Sequence, residues 1–371
     1  MYYADEFVQS LKNARQIVIY GAGMIAQEVA LCLTSAPYRL KIACFMVTSL
    51  DGNPKEIKGV PVVPLKEAGN FADSLVLLAV MDKYKYEIAQ SLEAYHFTNV
   101  VSLTFESSLW GELRGNYWIE RFKEQNKHYN ILEEELKKVQ NPGNMDECKI
   151  FAVKSVVDRQ LKDHISFPWE NELQVGAALT DCRIALNMDC TGENISVKNR
   201  EYCELTGLYW IWKNVEAQYA GLCHYRRHFL LNKEMLEKLV ESDIDVVLTI
   251  PVLNFPNVRE VYAHDHQSAD WETMMEVVFK LYPEYRETAD EVQNGNCYYG
   301  YNMLVAKKDI LNEYCSWLFP ILRCCEEKCS QKRDPYQKRY IGFLAERLLT
   351  IFFIHNCDRW KIVHARKLFL E

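Results

Sequence analysis

The chain has 371 residues, 49% of them hydrophobic and 25% charged, with a formal net charge of -8. That length suits two domains, and that composition excludes a disordered chain. The acidic balance excludes a general nucleic-acid binder, which needs a basic face against phosphates, but leaves room for a local basic pocket.

No apolar run approaches the roughly 18 residues of a membrane span, and the N-terminal stretch lacks the basic and apolar regions of an export signal. A soluble, cytoplasmic protein is expected. Its 13 cysteines should then be thiols, mostly acting as small buried apolar residues. Cys324, Cys325 and Cys329 lack the paired spacing of a zinc site.

In chain order, RQIVIY at 15–20 followed by GAGMIAQEVALCL predicts a strand, a glycine turn and a helix with Ile25, Val29 and Leu33 inside. Further strands are predicted at 41–47 (KIACFMV), 59–63 (GVPVV) and 74–80 (SLVLLAV). Strands alternating with helices imply a Rossmann-like parallel sheet, closing near residue 103, and residues 1–104 are assigned to this domain. Gly21, Gly23 and Ala26 form G-x-G-x-x-A, whose small residues admit a pyrophosphate at a helix N-terminus. A dinucleotide site also wants an acid closing the second strand, and the first one here is Asp51, beyond it. The dinucleotide signal is therefore incomplete, and a docking or regulatory domain with an empty cleft is the alternative.

Residues 117–140 predict a connecting helix through Ile131, Leu132, Leu136 and Val139, broken by NPGN at 141–144. Residues 105–147 are read as a helical linker and 148–371 as a second α/β domain, opening on the strand KIFAVKS at 149–155.

Four segments of that second half carry the chemistry. A polar loop holds Asp189, Glu193, Asn194, Ser196 and Asn199, the last a candidate N-cap for a helix with Leu205, Leu208, Tyr209 and Trp212 on one face. A strand then ends in His224, Tyr225, Arg226, Arg227 and His228, a cationic spot suited to a diphosphate, with structural salt bridges as the alternative. Asp243 and Asp245 form D-x-D but lead into a strand, so they are not read as a metal clamp. His264, Asp265, His266 and Asp270 precede a helix and suit a metal, an acceptor contact or a catalytic base. Tyr298, Tyr299, Tyr301 and Asn302 suit carbohydrate, and Glu346 and Arg347 interrupt an apolar helix, where a charge is paired or functional.

The first hundred residues, through IVIYGAG and GVPVVPL, resemble the N-terminal Rossmann-like domain of bacterial sugar acyltransferases, which implies a sugar nucleotide rather than a dinucleotide as its ligand. From 149 to 370 the chain resembles a glycosyltransferase family of capsular polysaccharide and lipopolysaccharide gene clusters. That resemblance rests on D-x-T-G-E-N-I-S at 189–196, CELTGLYWIWKN at 203–214, GLCHYRRHF at 221–229, YNMLVAKKD at 301–309 and GFLAERLL at 342–349. It implies a GT-A-like α/β fold and transfer of a hexose from a nucleotide-diphosphate sugar. The donor it points to is UDP-linked galactofuranose or galactose; the acceptor is a glycan or lipid-linked glycan, with peripheral membrane association left open.

The polar loop from Asp189 to Asn199 would then hold the donor, with Tyr301 and Asn302 as sugar contacts. His224, Arg226 and Arg227 would replace the metal clamp of ordinary GT-A enzymes, and the base would be Asp265, Asp270 or Glu346. No cofactor is expected to be required, manganese or magnesium being the alternative. The rival readings are an NAD(P)-dependent oxidoreductase or epimerase, led by the glycine turn, and a noncatalytic sugar-nucleotide-binding scaffold.

Overall fold

The apolar runs of the first hundred residues become neighbours in one sheet. Its parallel strands lie in the order Val60–Pro64, Ile42–Val47, Ile17–Tyr20, Leu75–Leu78, Val100–Ser102, and Glu56–Ile57 adds an antiparallel edge. Two interior strands, Ile17–Tyr20 and Leu75–Leu78, are buried along their whole length, as parallel strands covered on both faces are. This computed structural model describes residues 2–162, 165 and 167–371. The chain divides into two units, Met1–Lys127 and His128–Glu371.

That division falls inside the span read as a linker. The stretch 117–140, expected as one helix, is broken into pieces. A helix Ser108–Glu124 ends where Asn126 adopts φ 56° and the Lys127 N–H returns to the Phe122 carbonyl at 2.8 Å. Its Asn116 accepts the Tyr2 and Tyr3 N–H groups, which ties it to the first unit. Asn130–Ile131 then pairs with a strand of the second unit, and the short helix Leu132–Leu136 follows.

The second unit is built on a sheet in the order Asn187–Met188, Glu170–Gln174, Cys148–Lys154, Tyr219–His224, Leu304–Lys307, Val246–Thr249, Ile362–Ala365, Asn130–Ile131. Only Leu304–Lys307 runs antiparallel to its neighbours in that row. This is the expected α/β layout with a mainly parallel sheet. Gly221 permits the close pairing at its centre, since a Cβ there would lie 2.1 Å from the Leu304 carbonyl oxygen. Ile150, Tyr219, Val247, Val305 and Val363 build the core on the sheet.

The helix Tyr340–His355 is buried except at Glu346 and His355. All 13 cysteines are free thiols. Among the described residues no helix is long and apolar enough to cross a membrane. The parallel strands end together at one edge, at Lys154, Gln174, His224 and Thr249, and the reversed strand begins there at Leu304. In open parallel sheets that edge is where ligands bind.

Candidate functional site

At that edge the strand Tyr219–His224 turns at once: His224 pairs with Arg227 in an antiparallel bridge, leaving Tyr225 and Arg226 on the turn. The His224 Nε2–H donates to the Tyr301 carbonyl at 2.6 Å. Burial, reinforced by the Arg227 charge, pushes its pKa down to about 4. His224 is therefore neutral near pH 7, and the expectation that it adds charge to the cluster is corrected: it anchors the Tyr301 loop.

The cations are Arg226, Arg227 and Lys367. The Arg227 guanidinium lies 4.6 Å from the Tyr301 ring centre and 5.3 Å from that of Phe369. Arg226 stands 5.4 Å from Phe369 and Lys367 5.1 Å from Tyr301. Two aromatic faces thus hold three positive charges together. Beneath the turn, buried His228 contacts Glu170 Oε2 through Nδ1 at 2.7 Å and the Tyr225 carbonyl through Nε2 at 3.1 Å. Glu170, Cys223 and His228 are metal-ligand types, with ligand atoms within 4.8 Å of one another. Both ring nitrogens are engaged in hydrogen bonds, however, so the trio reads as a brace for the turn.

The opposing wall comes from the loop before the reversed strand. Tyr301 and Asn302 take φ of 72° and 50°, left-handed values that non-glycine residues adopt at a cost. Glu346 holds them there: its Oε1 accepts the Tyr301 N–H at 2.8 Å, and its Oε2 accepts the Tyr298 hydroxyl and Arg347 Nη1, the latter at 2.9 Å. The buried Asn302 amide donates to Glu204 Oε1 at 2.6 Å and to the Gly342 carbonyl at 3.2 Å. Burial raises the Glu204 pKa, against the Asn302 hydrogen bond and the charges of Arg339 and Arg227. Arg339 Nε meets Cys203 Sγ at 3.2 Å. Asp158, raised by burial, feels His224, Arg226 and Arg339.

Sequence reasoning missed Glu204, Arg339, Asp158 and Lys367. Glu204 sits inside CELTG, where an acid before an apolar helix was a usable signal; the other three carry no local pattern. Several expected site residues are placed elsewhere. Asp189 is fully buried and accepts the N–H groups of Gly176 at 2.9 Å and Ala177 at 3.0 Å, together with the Ser196 hydroxyl. Asn194 binds within its own loop, to Ser196 N–H and the Gly192 carbonyl, and Glu193 accepts the Tyr209 hydroxyl at 2.8 Å. Asn199 begins a separate short helix, and its amide donates to the Cys203 carbonyl and Thr206, so it is not the N-cap of Leu205–Asn214. In this structure the hydrogen bonds of these five shape the loop and the helix start that follows it.

Asp270 is corrected as a base: it pairs with Lys332 at 2.6 Å, with side chains 2% and 1% exposed. Replacing Asp270 with Asn is expected to cost about 3–5 kcal/mol by leaving a buried ammonium without its counter-charge. Urea unfolding checks this, and an unchanged midpoint contradicts it. Asp265 lies on the rim, 42% exposed beside His264. Asp243 and Asp245 pair with Lys361 and Lys307, both at 2.7 Å, at the start of Val246–Thr249 and so at the opposite edge of the sheet.

In the first unit, Gly21, Gly23 and Ala26 do form the strand-to-helix turn. Gly21 has φ 123°, and a Cβ on it would lie 2.6 Å from the Ala79 carbonyl oxygen, so packing alone demands glycine there. Gly23 precedes the helix Met24–Thr34 and Ala26 is fully buried.

The family described as a domain of unknown function, DUF4422, matches residues 160–357. Among solved structures, the apo structure of a bifunctional glycosyltransferase, WbbM, is similar with a TM-score of 0.55 and 30% sequence identity. The match covers 60% of this chain and 45% of that one, so the chain spans under half of that protein's length. No curated protein matches the chain.

Proposed function

The chain belongs to the DUF4422 family, and on that premise we propose that its second unit is a glycosyltransferase. It moves a hexose from a nucleotide-diphosphate sugar, UDP-linked galactose or galactofuranose, to a growing surface-glycan acceptor. The observation that carries this reading is the turn of Arg226 and Arg227 with Lys367, gathered on the Tyr301 and Phe369 rings, with a carboxylate, Glu346, held by three donors, the Tyr301 N–H among them. The likeness to a glycosyltransferase structure at 30% identity supports it.

The chemistry follows from charge. As the bond between the anomeric carbon and the phosphate oxygen breaks, its electron pair leaves with the diphosphate. Arg226, Arg227 and Lys367 offset that growing negative charge. On the other side the acceptor hydroxyl attacks the anomeric carbon and gives its proton to Glu346. Asp243 and Asp245 sit at the far edge, paired with lysines, so this D-x-D does not reach the diphosphate; in this reading side-chain cations meet it in place of a metal.

The test is a panel of sugar nucleotides, with release of the nucleoside diphosphate as the readout. Donor-specific release supports the reading. Binding of a nucleotide without turnover of any donor favours a noncatalytic scaffold.

A further inference from the structure

Beyond the cationic turn, a second feature lies one helical turn from the same carboxylate. Three aromatic rings, His266 from one segment and Tyr336 and Phe343 from another, gather into a wall. His266 lies over Phe343 with ring centres 4.0 Å apart and planes 20° off parallel. Tyr336 adjoins both rings, 5.9 Å from His266 at 23° and 5.1 Å from Phe343 with the planes tilted by 41°. The wall is tied together by Gln337, whose amide donates to the Asp265 carbonyl at 3.0 Å. Phe343 is 9% exposed, whereas Tyr336 is 52% exposed and gives the wall its open end.

Its position is set by the helix Tyr340–His355. Phe343, Glu346 and Arg347 stand at i, i+3 and i+4, so they share one face of that helix. The Arg339 guanidinium lies 5.5 Å from the Phe343 ring. Asp265, Arg339, Glu346 and Arg347 all act electrostatically on the Tyr336 hydroxyl. His266 is held neutral, burial and the Arg347 charge pushing its pKa down to about 3, so its ring is an uncharged stacking partner. The wall thus combines a flat apolar surface with Asp265 and Arg339 at its margins. A neutral sugar ring presents that same combination: a C–H face that packs on an aromatic ring and hydroxyls at its edge.

We propose that Tyr336, packed against His266 and Phe343, forms the acceptor subsite, taking the C–H face of a neutral hexose and turning its hydroxyl toward Glu346. The assignment rests on the transferase reading for its role, but sugar binding itself can be tested separately. Asp265 at the rim is then an acceptor-hydroxyl contact, not the base.

The experiment is saturation-transfer NMR on the full chain. The probes are the methyl glycosides of galactopyranose, galactofuranose, glucose and mannose, with UDP as a separate probe. At least one glycoside is expected to receive saturation on its ring C–H protons. That signal should fall fivefold or more in Tyr336→Ala and persist in Tyr336→Phe, which keeps the ring. UDP signals should be unchanged in Tyr336→Ala, which also shows that the variant is folded. Arg227→Ala should show the reverse pattern. No glycoside signal on the wild type, or one that survives Tyr336→Ala, overturns the proposal. Glycoside binding at Tyr336 with no UDP binding anywhere would overturn the donor reading and leave the sugar subsite standing.

Discussion

Arg227→Ala is expected to lower kcat/KM for the sugar-nucleotide donor by about 10²–10³-fold, the usual effect of removing one preorganised group from a developing charge. The loss should appear in both UDP affinity and kcat, because the guanidinium meets the diphosphate before and after the bond breaks. Arg227→Lys keeps the charge but not the planar fork, and the Tyr301 ring 4.6 Å away would stack less well on an ammonium. A partial recovery is therefore expected. Arg226 lies on the turn itself, farther from the Tyr301 wall, and its alanine variant should lose less. Steady-state kinetics with UDP calorimetry checks this order, and an Arg227→Ala enzyme within threefold of wild type contradicts it.

Glu346→Gln should be the more selective lesion. Removing a general base costs about 10²–10⁴-fold in rate, while the amide oxygen can still accept the Tyr301 N–H. UDP binding should therefore survive as kcat collapses. The same substitution takes the counter-charge from Arg347, whose side chain is 5% exposed, so a lower unfolding temperature should accompany it. A variant that turns over within fivefold of wild type would remove Glu346 from the chemistry. One that loses UDP binding as well would show it to be only a prop for the loop.

The sequence made the strands legible because parallel strands buried on both faces are unbroken apolar runs. SLVLLAV and AGLC are examples, and both are interior strands of their sheets. The basic turn was legible for the opposite reason: two arginines closing an apolar strand have no core role to explain them. What stayed hidden depends on contacts far along the chain. Asp270 looks like a surface acid until Lys332, 62 positions away, is seen beside it. Glu204 gains its place only through Asn302, 98 positions on. His224 reads as a cation in isolation, and only its burial against Arg227 and Tyr301 makes it neutral. The helix expected over 117–140 failed on one residue, Asn126, whose left-handed backbone ends it within a run of good helix formers.

The account rests most heavily on side-chain cations meeting the donor diphosphate without a divalent ion. The measurement that tests this directly is turnover of UDP-galactose and UDP-galactofuranose by the metal-stripped chain in EDTA, against the same assay with added manganese. The account predicts donor-specific release of UDP in EDTA at a rate within a few-fold of that with metal. Turnover abolished by EDTA and restored by manganese would contradict it.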